Sequence, residues 1–219
     1  MFIGHFGVAL AAKKAAPRTS LGTLVFAAQF LDLLWPILLL LGVEHVEIAP
    51  GITQLSPFNF TDYPLSHSLL MVAVWAALVG GTYYVVRREK TVAWVVAACV
   101  LSHWILDVMV HGPDLPLAPG SSVRMGLGLW NLWPAAITVE VLLFFGGLWI
   151  YLCATRARDN AGRYGLWSLL AFLFFGWVAT MFAGAPPNVN SLAWGGMTMW
   201  LTVPWAGWAD SHRELLHSP

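Results

Sequence analysis

The chain has 219 residues, of which 58% are hydrophobic and only 10% charged, with thirteen Trp, twelve Phe and a mean hydropathy of +0.70. A soluble domain carries about 25% charged residues, so this composition excludes an ordinary water-soluble globule and points to an integral membrane protein embedded in a lipid bilayer. The formal net charge is zero, which leaves no basic field for nucleic acid, and the two cysteines, Cys99 and Cys153, both lie in apolar runs rather than in a disulfide framework.

The first stretch, "MFIGHFGVALAAKKAAPR", places Lys13, Lys14 and Arg18 after its apolar run, the reverse of a cleavable signal. That run is too short to span a bilayer and holds His5, so a short helix packed into the bundle or lying at the interface is expected. Six longer apolar segments follow, at roughly 21–43, 66–86, 91–111, 131–153, 164–184 and 191–208, each near the ~20 residues a spanning helix needs. The last is interrupted by Gly195, Gly196 and Pro204. The expected fold is therefore all-α: a polytopic membrane bundle of about six transmembrane helices plus the short N-terminal helix, with 1–219 forming a single domain.

Basic residues mark alternate connections: Lys13, Lys14 and Arg18; Arg87, Arg88 and Lys90; Arg156, Arg158 and Arg163. The intervening loops hold Glu44, Glu47, Asp62 and Asp114, with Arg124 as their one basic residue. The positive-inside rule then places both termini in the cytoplasm. His212 and His217, in the polar tail, carry no assignment.

Ionisable side chains inside spans are costly and are functional candidates by default. Here they are His5, Asp32, His67, His103, Asp107 and Glu140, with His111 at a span end. At 1.5 Å of rise per residue, His103, Asp107, Glu140 and Asp32 lie about 20–25 Å from the basic edge, His67 about 30 Å and His5 about 12 Å. Most of them thus share one layer. In "CVLSHWILDVMVHGPD", His103 and Asp107 are four apart and fall on one helix face, where they offer an imidazole and a carboxylate to one centre. Cys99 extends the stripe as a packing residue and His111 extends it to the helix end. In "DYPLSHSLL", Ser66 reads as the N-cap of a helix that starts at His67. Asp32, in "AAQFLDLLWP", has no basic neighbour within a turn, and a buried lone carboxylate needs a partner. Imidazole and carboxylate ligands suit zinc and similar divalent ions.

The early "GH", the Asp of the first apolar segment, "SHSLL" and "SHWILD" together resemble a family of membrane-bound metal-dependent hydrolases, the LexA-binding, inner-membrane-associated proteins. More distantly they resemble the zinc-dependent bacterial phospholipases C. The resemblance covers residues 1–111, the metal-site half, and leaves 131–208 as an additional helical half. It implies His5, Asp32, His67, His103 and Asp107 as metal-site residues, hydrolase activity and a bacterial inner-membrane location. Only one acid stands in "FLDLLWP", and Ala136 takes the position of a further histidine ahead of Glu140, which leaves donors for one or two ions.

The first functional expectation is a membrane-embedded hydrolase. In it a divalent metal, zinc by its donors, would be held by His5, Asp32, His67, His103 and Asp107, with His111 as a possible addition. A carboxylate not engaged as a ligand, Glu140 or Asp32, would serve as general base. Its substrate would be amphipathic, a lipid-like ester or phosphoester. A carrier or channel for metal ions or protons would use the same residues, and haem held by His67 and His103 is a third reading.

Overall fold

The computed structural model describes residues 1–216, so His217 lies outside the described residues. The chain is mostly helical. Helix α1 (Ile3–Ala15) is followed by α2 (Leu21–Ala28) and α3 (Phe30–Leu40), then α4 (Pro64–His67), α5 (Leu69–Arg87), α6 (Lys90–Val110), α7 (Trp133–Ala154), α8 (Asn160–Phe182), α9 (Val189–Met197) and α10 (Thr202–Ser211). Three small antiparallel strand pairs join them: β1 (His45–Ile48) with β2 (Phe58–Asp62), β3 (Leu115–Pro116) with β4 (Arg124–Met125), and β5 (Thr155–Ala157) with β6 (Arg213–Leu215).

Four helices, α5 to α8, are long and apolar enough to cross a membrane. The first expected span is broken: α2 and α3 meet at Gln29 with a 57° bend, and the pair makes a fifth crossing if counted as one. The last expected segment is divided by a 3-10 turn at Thr198–Leu201 into α9 and α10, neither of which reaches spanning length. The outward faces of the long helices carry Leu142, Trp149 and Phe175, each about two-thirds exposed or more. A face this apolar is unfavourable in water and natural against lipid tails. The helices are thus compatible with an integral membrane protein.

Helix α1 lies at the centre, packed against α7, α2 and α6, with Ile3, His5 and Ala9 wholly buried. Two features allow it to sit so deep. A Cβ on Gly7 would fall 2.3 Å from the Leu143 carbonyl oxygen, and one on Gly147 would fall 2.0 Å from that of Gly7. The two backbones therefore touch where they cross, as small residues permit between membrane helices. Glu140 of α7 then accepts the backbone N–H groups of Phe2 (2.8 Å) and Gly4 (2.8 Å), which the first turn of a helix leaves unpaired.

At the other end of α1, Lys13 is buried rather than a free loop charge. Its Nζ donates to Asp210 Oδ2 (2.6 Å) and to the Thr19 carbonyl (2.8 Å). The Tyr151 hydroxyl (2.7 Å) and the Leu21 N–H (3.0 Å) also donate to Asp210. This ion pair ties α1, α2, α7 and α10 together with its donors and acceptors satisfied, the condition under which a buried pair is tolerated.

The Gly7–Gly147 crossing yields a direct test. Gly147→Leu should destabilise the detergent-solubilised protein by about 1–3 kcal/mol through overpacking. Gly146→Leu, whose Cβ would meet nothing within 4 Å, should stay within about 0.5 kcal/mol. Thermal unfolding followed by tryptophan fluorescence separates the two.

Candidate metal centre

His103 and Asp107 project from one face of α6 into the space between α1, the α2–α3 break and α4. His103 Nδ1 lies 2.7 Å from the carbonyl oxygen of Ala28, the last residue of α2. A carbonyl can only accept, so Nδ1 carries the proton of that bond. The helix break explains the acceptor: the last carbonyls of a helix have no partner within it. His103 Nε2 then faces two carboxylates, Asp107 Oδ2 at 3.2 Å and Asp32 Oδ1 at 3.6 Å. Although enclosed, this nitrogen has no hydrogen-bond partner among the described residues. In a neutral imidazole its lone pair would point at oxygen lone pairs, which is repulsive unless a cation lies among them.

His67 is prepared in the same way. Its Nδ1 is 2.7 Å from Ser66 Oγ, and that hydroxyl donates to Glu44 Oε2 at 2.6 Å. The carboxylate accepts the serine proton, so the serine oxygen receives the Nδ1 proton of His67. Glu44 Oε1 also accepts the N–H groups of Leu65 (2.7 Å) and Ser66 (2.8 Å), fixing the short helix α4. His67 Nε2 is left facing Asp107 Oδ2 (3.7 Å) and Asp32 Oδ1 (3.8 Å).

His5 closes the cluster from α1. Its ring stacks on that of His103, with centroids 3.6 Å apart and planes 7° from parallel. Its Nε2 is 3.2 Å from Asp107 Oδ1, and the α-amino group of Met1 lies 2.6 Å from the same oxygen. Two overlapping donor sets result, His5–His103–Asp107 and Asp32–His67–His103, with the ligand atoms of each set within 4.8 Å of one another. Either buried group could hold a metal ion. An orphaned imidazole nitrogen facing two carboxylates is the donor chemistry a small cation needs. Asp32 stands in the first turn of α3, where the helix dipole favours its charge, and its side chain is 26% exposed while the other four are nearly closed off. The cluster therefore opens on the Asp32 side.

The structure brings together five of the sequence candidates: His5, Asp32, His67, His103 and Asp107. His111 is not among them. Its Nδ1 is 3.0 Å from Asp114 Oδ1, and its ring packs on Trp130 and Phe60. The Tyr63 hydroxyl donates to the same Asp114 oxygen (2.5 Å), and burial beside that carboxylate holds the phenol above its ordinary pKa. Phe60, Tyr63 and His111 thus form a packed aromatic layer beside the cluster, and His67 packs on Tyr63 and Trp35.

Glu140, expected as a general base, turns both oxygens to backbone N–H groups at the start of α1 and anchors that helix there. Ser66 is not the cap of the long helix either. Ser68 caps α5, accepting the Met71 N–H, while Ser66 links His67 to Glu44. Glu44 was missed as a site residue because nothing in "GVEHVEIAP" separates it from Glu47. The fold buries Glu44 and leaves Glu47 at the surface, hydrogen-bonded to Asn59.

Comparison with protein-family models, with curated proteins and with solved structures finds no match for this chain.

The Glu44–Ser66–His67 chain should be measurable through metal affinity. Partners that orient a ligating histidine typically contribute 10–100-fold. Ser66→Ala should weaken divalent-metal binding by about that factor, with the far-ultraviolet circular dichroism unchanged. Titration with a competing chelator reads the difference.

Proposed function

We propose that the protein is a membrane-embedded metal-dependent hydrolase acting on a lipid-like ester or phosphoester. The observation that carries this reading is the pair of imidazoles, His67 and His103, each tied through Nδ1 and each turning Nε2 toward Asp32 and Asp107. His5, Asp32, His67, His103 and Asp107 would hold one or two divalent ions, with zinc favoured by the mixed imidazole and carboxylate donors. When bound, such an ion supplies Lewis acidity toward an ester or phosphoryl oxygen and toward water.

The protein's own groups supply the rest. Asp32, at the open side, would, when not engaged as a ligand, take a proton from the attacking water and return it to the leaving oxygen. Trp35, Phe60 and Tyr63 flank the cluster and limit the entry of bulk water. Glu44, through Ser66, and the Ala28 carbonyl hold the imidazoles in one tautomer. The apolar helices around the cluster select an amphipathic substrate. The resemblance of "SHSLL" and "SHWILD" to the membrane-bound metal-dependent hydrolases supports the same class and a bacterial inner-membrane location. The basic connections support cytoplasmic termini.

A carrier along the same residues is less well supported. The polar groups at the far end of α1 (Lys13, Thr19, Tyr151 and Asp210) satisfy one another, so they offer no continuation of a path. A haem reading also fits poorly. The ring centroids of His67 and His103 are 5.6 Å apart, with two carboxylates within 4 Å of both Nε2 atoms, a donor set for a small ion rather than a macrocycle.

Elemental analysis of the purified protein should find a stoichiometric divalent metal, and His103→Ala and Asp107→Ala should each remove most of it. Wild type should hydrolyse a lipid phosphoester in detergent, with Asp32→Asn reducing turnover by about 10²–10⁴-fold. Metal or proton flux in proteoliposomes without hydrolysis would refute the enzyme reading.

A further inference from the structure

A groove of about 620 Å³ runs between the α2–α3 pair and α5. Phe26 and Phe30 line one side, Trp75 and Leu78 the other, and Val96 of α6 forms part of its floor. Its volume lies within the range of ligand-binding clefts, about 300–1,000 Å³. The walls are apolar along most of their length, but one end is different. Arg18, just ahead of α2, and Arg87, the last residue of α5, stand there with the hydroxyls of Ser20 and Thr82. No acidic side chain lines the groove. Both guanidinium groups are exposed, and among the described residues neither has an ion-pair partner.

The length is also informative. From Trp75 to Arg87 the helix rises about 18 Å, close to half of a hydrocarbon core of roughly 30 Å. The groove therefore covers one leaflet, with two unneutralised cations at its headgroup end. An acyl chain fits the apolar walls, and a phosphate fits two guanidinium groups, which favour bidentate contact with phosphate oxygens. Because no carboxylate faces them, the arginines favour a headgroup with net negative charge over a zwitterion, whose own cation would find nothing to pair with.

We infer that this groove is a binding site for one anionic phospholipid of the leaflet at the Arg18–Arg87 face, acyl chain along Phe26, Phe30 and Leu78 and phosphate between the two arginines. The inference rests on the bilayer-embedded reading but not on hydrolysis, since none of the five clustered metal-site candidates lines the groove.

The test uses full-length protein, delipidated in mild detergent and then offered equal mole fractions of phosphatidylglycerol and phosphatidylcholine. Native mass spectrometry counts the lipid retained. One phosphatidylglycerol per chain is expected, with a preference over phosphatidylcholine of about tenfold or more from two interfacial arginines. The double variant Arg18→Gln/Arg87→Gln should lose that preference. Leu78→Trp should fill the groove and reduce retention of both lipids, and Lys14→Gln/Lys90→Gln, on exposed basic residues outside the groove, should change neither.

Equal retention of the two lipids by wild type would overturn the proposal, as would a preference that survives the arginine double variant. Displacement of the lipid by millimolar inorganic phosphate would also overturn it, since the site would then read phosphate alone. Crosslinking of two copies through Leu78→Cys would show a second chain in the groove instead. A protein that remains monodisperse in buffer without detergent would refute the bilayer reading itself, a result separate from all of these.

Discussion

A carboxylate shut inside an apolar bundle must be compensated, and Asp107, 1% exposed, imposes that requirement on everything around it. Three imidazoles and the Met1 amino group converge on its two oxygens. The three imidazoles come from α1, α4 and α6, so neutralising one side chain determines how these helices approach each other. The α2–α3 break belongs to the same set. A straight helix there would satisfy the Ala28 carbonyl internally, whereas the bent pair offers it to His103 and brings Asp32 to face the same imidazole. A break in an apolar helix is tolerated where it lines a polar site, and here it helps to build one.

Two polar clusters hold α1 along its length, and they differ in completeness. The Lys13–Asp210 pair is surrounded by donors that satisfy it. The His–Asp cluster keeps two imidazole nitrogens, His5 Nδ1 and His103 Nε2, without partners among the described residues. Fully satisfied polar groups in a core rigidify it, whereas unsatisfied ones are costly and persist where they have a task. The contrast separates a staple from a site on physical grounds alone.

Much of this was legible in the sequence, for identifiable reasons. The four long helices follow from uninterrupted apolar runs, and the His103–Asp107 pair follows from a spacing of four on a helix. The shared depth of Asp32, His103 and Asp107 follows from counting residues from the basic loops, and the structure brings those residues together. Other features depended on contacts that no local pattern encodes. Gln29 has no breaker signature, so the bend at the first span was invisible. In the sequence Glu140 reads as a general base because a carboxylate in an apolar span has few ordinary uses. Its actual partners are backbone N–H groups some 138 and 136 positions away in the chain. Glu44 looked like loop charge because burial of a loop residue is decided by tertiary packing. Lys13 looks like a topological marker for the same reason, though the fold gives it a buried partner 197 residues later.

The docking of α1 on α7 has a consequence for biogenesis. Chains are synthesised from the N-terminus, and earlier segments have to wait for later ones. His5 leaves the ribosome long before Glu140 and Gly147, the residues that hold its helix against the bundle. Until α7 is made, α1 has neither the carboxylate for its first turn nor the glycine surface for its backbone. The cluster can therefore be no more than partly assembled while α2 to α6 fold. A ribosome stalled before Trp133 would leave a nascent chain that holds His103 and Asp107 but whose third imidazole sits on a helix held by α2 and α6 alone.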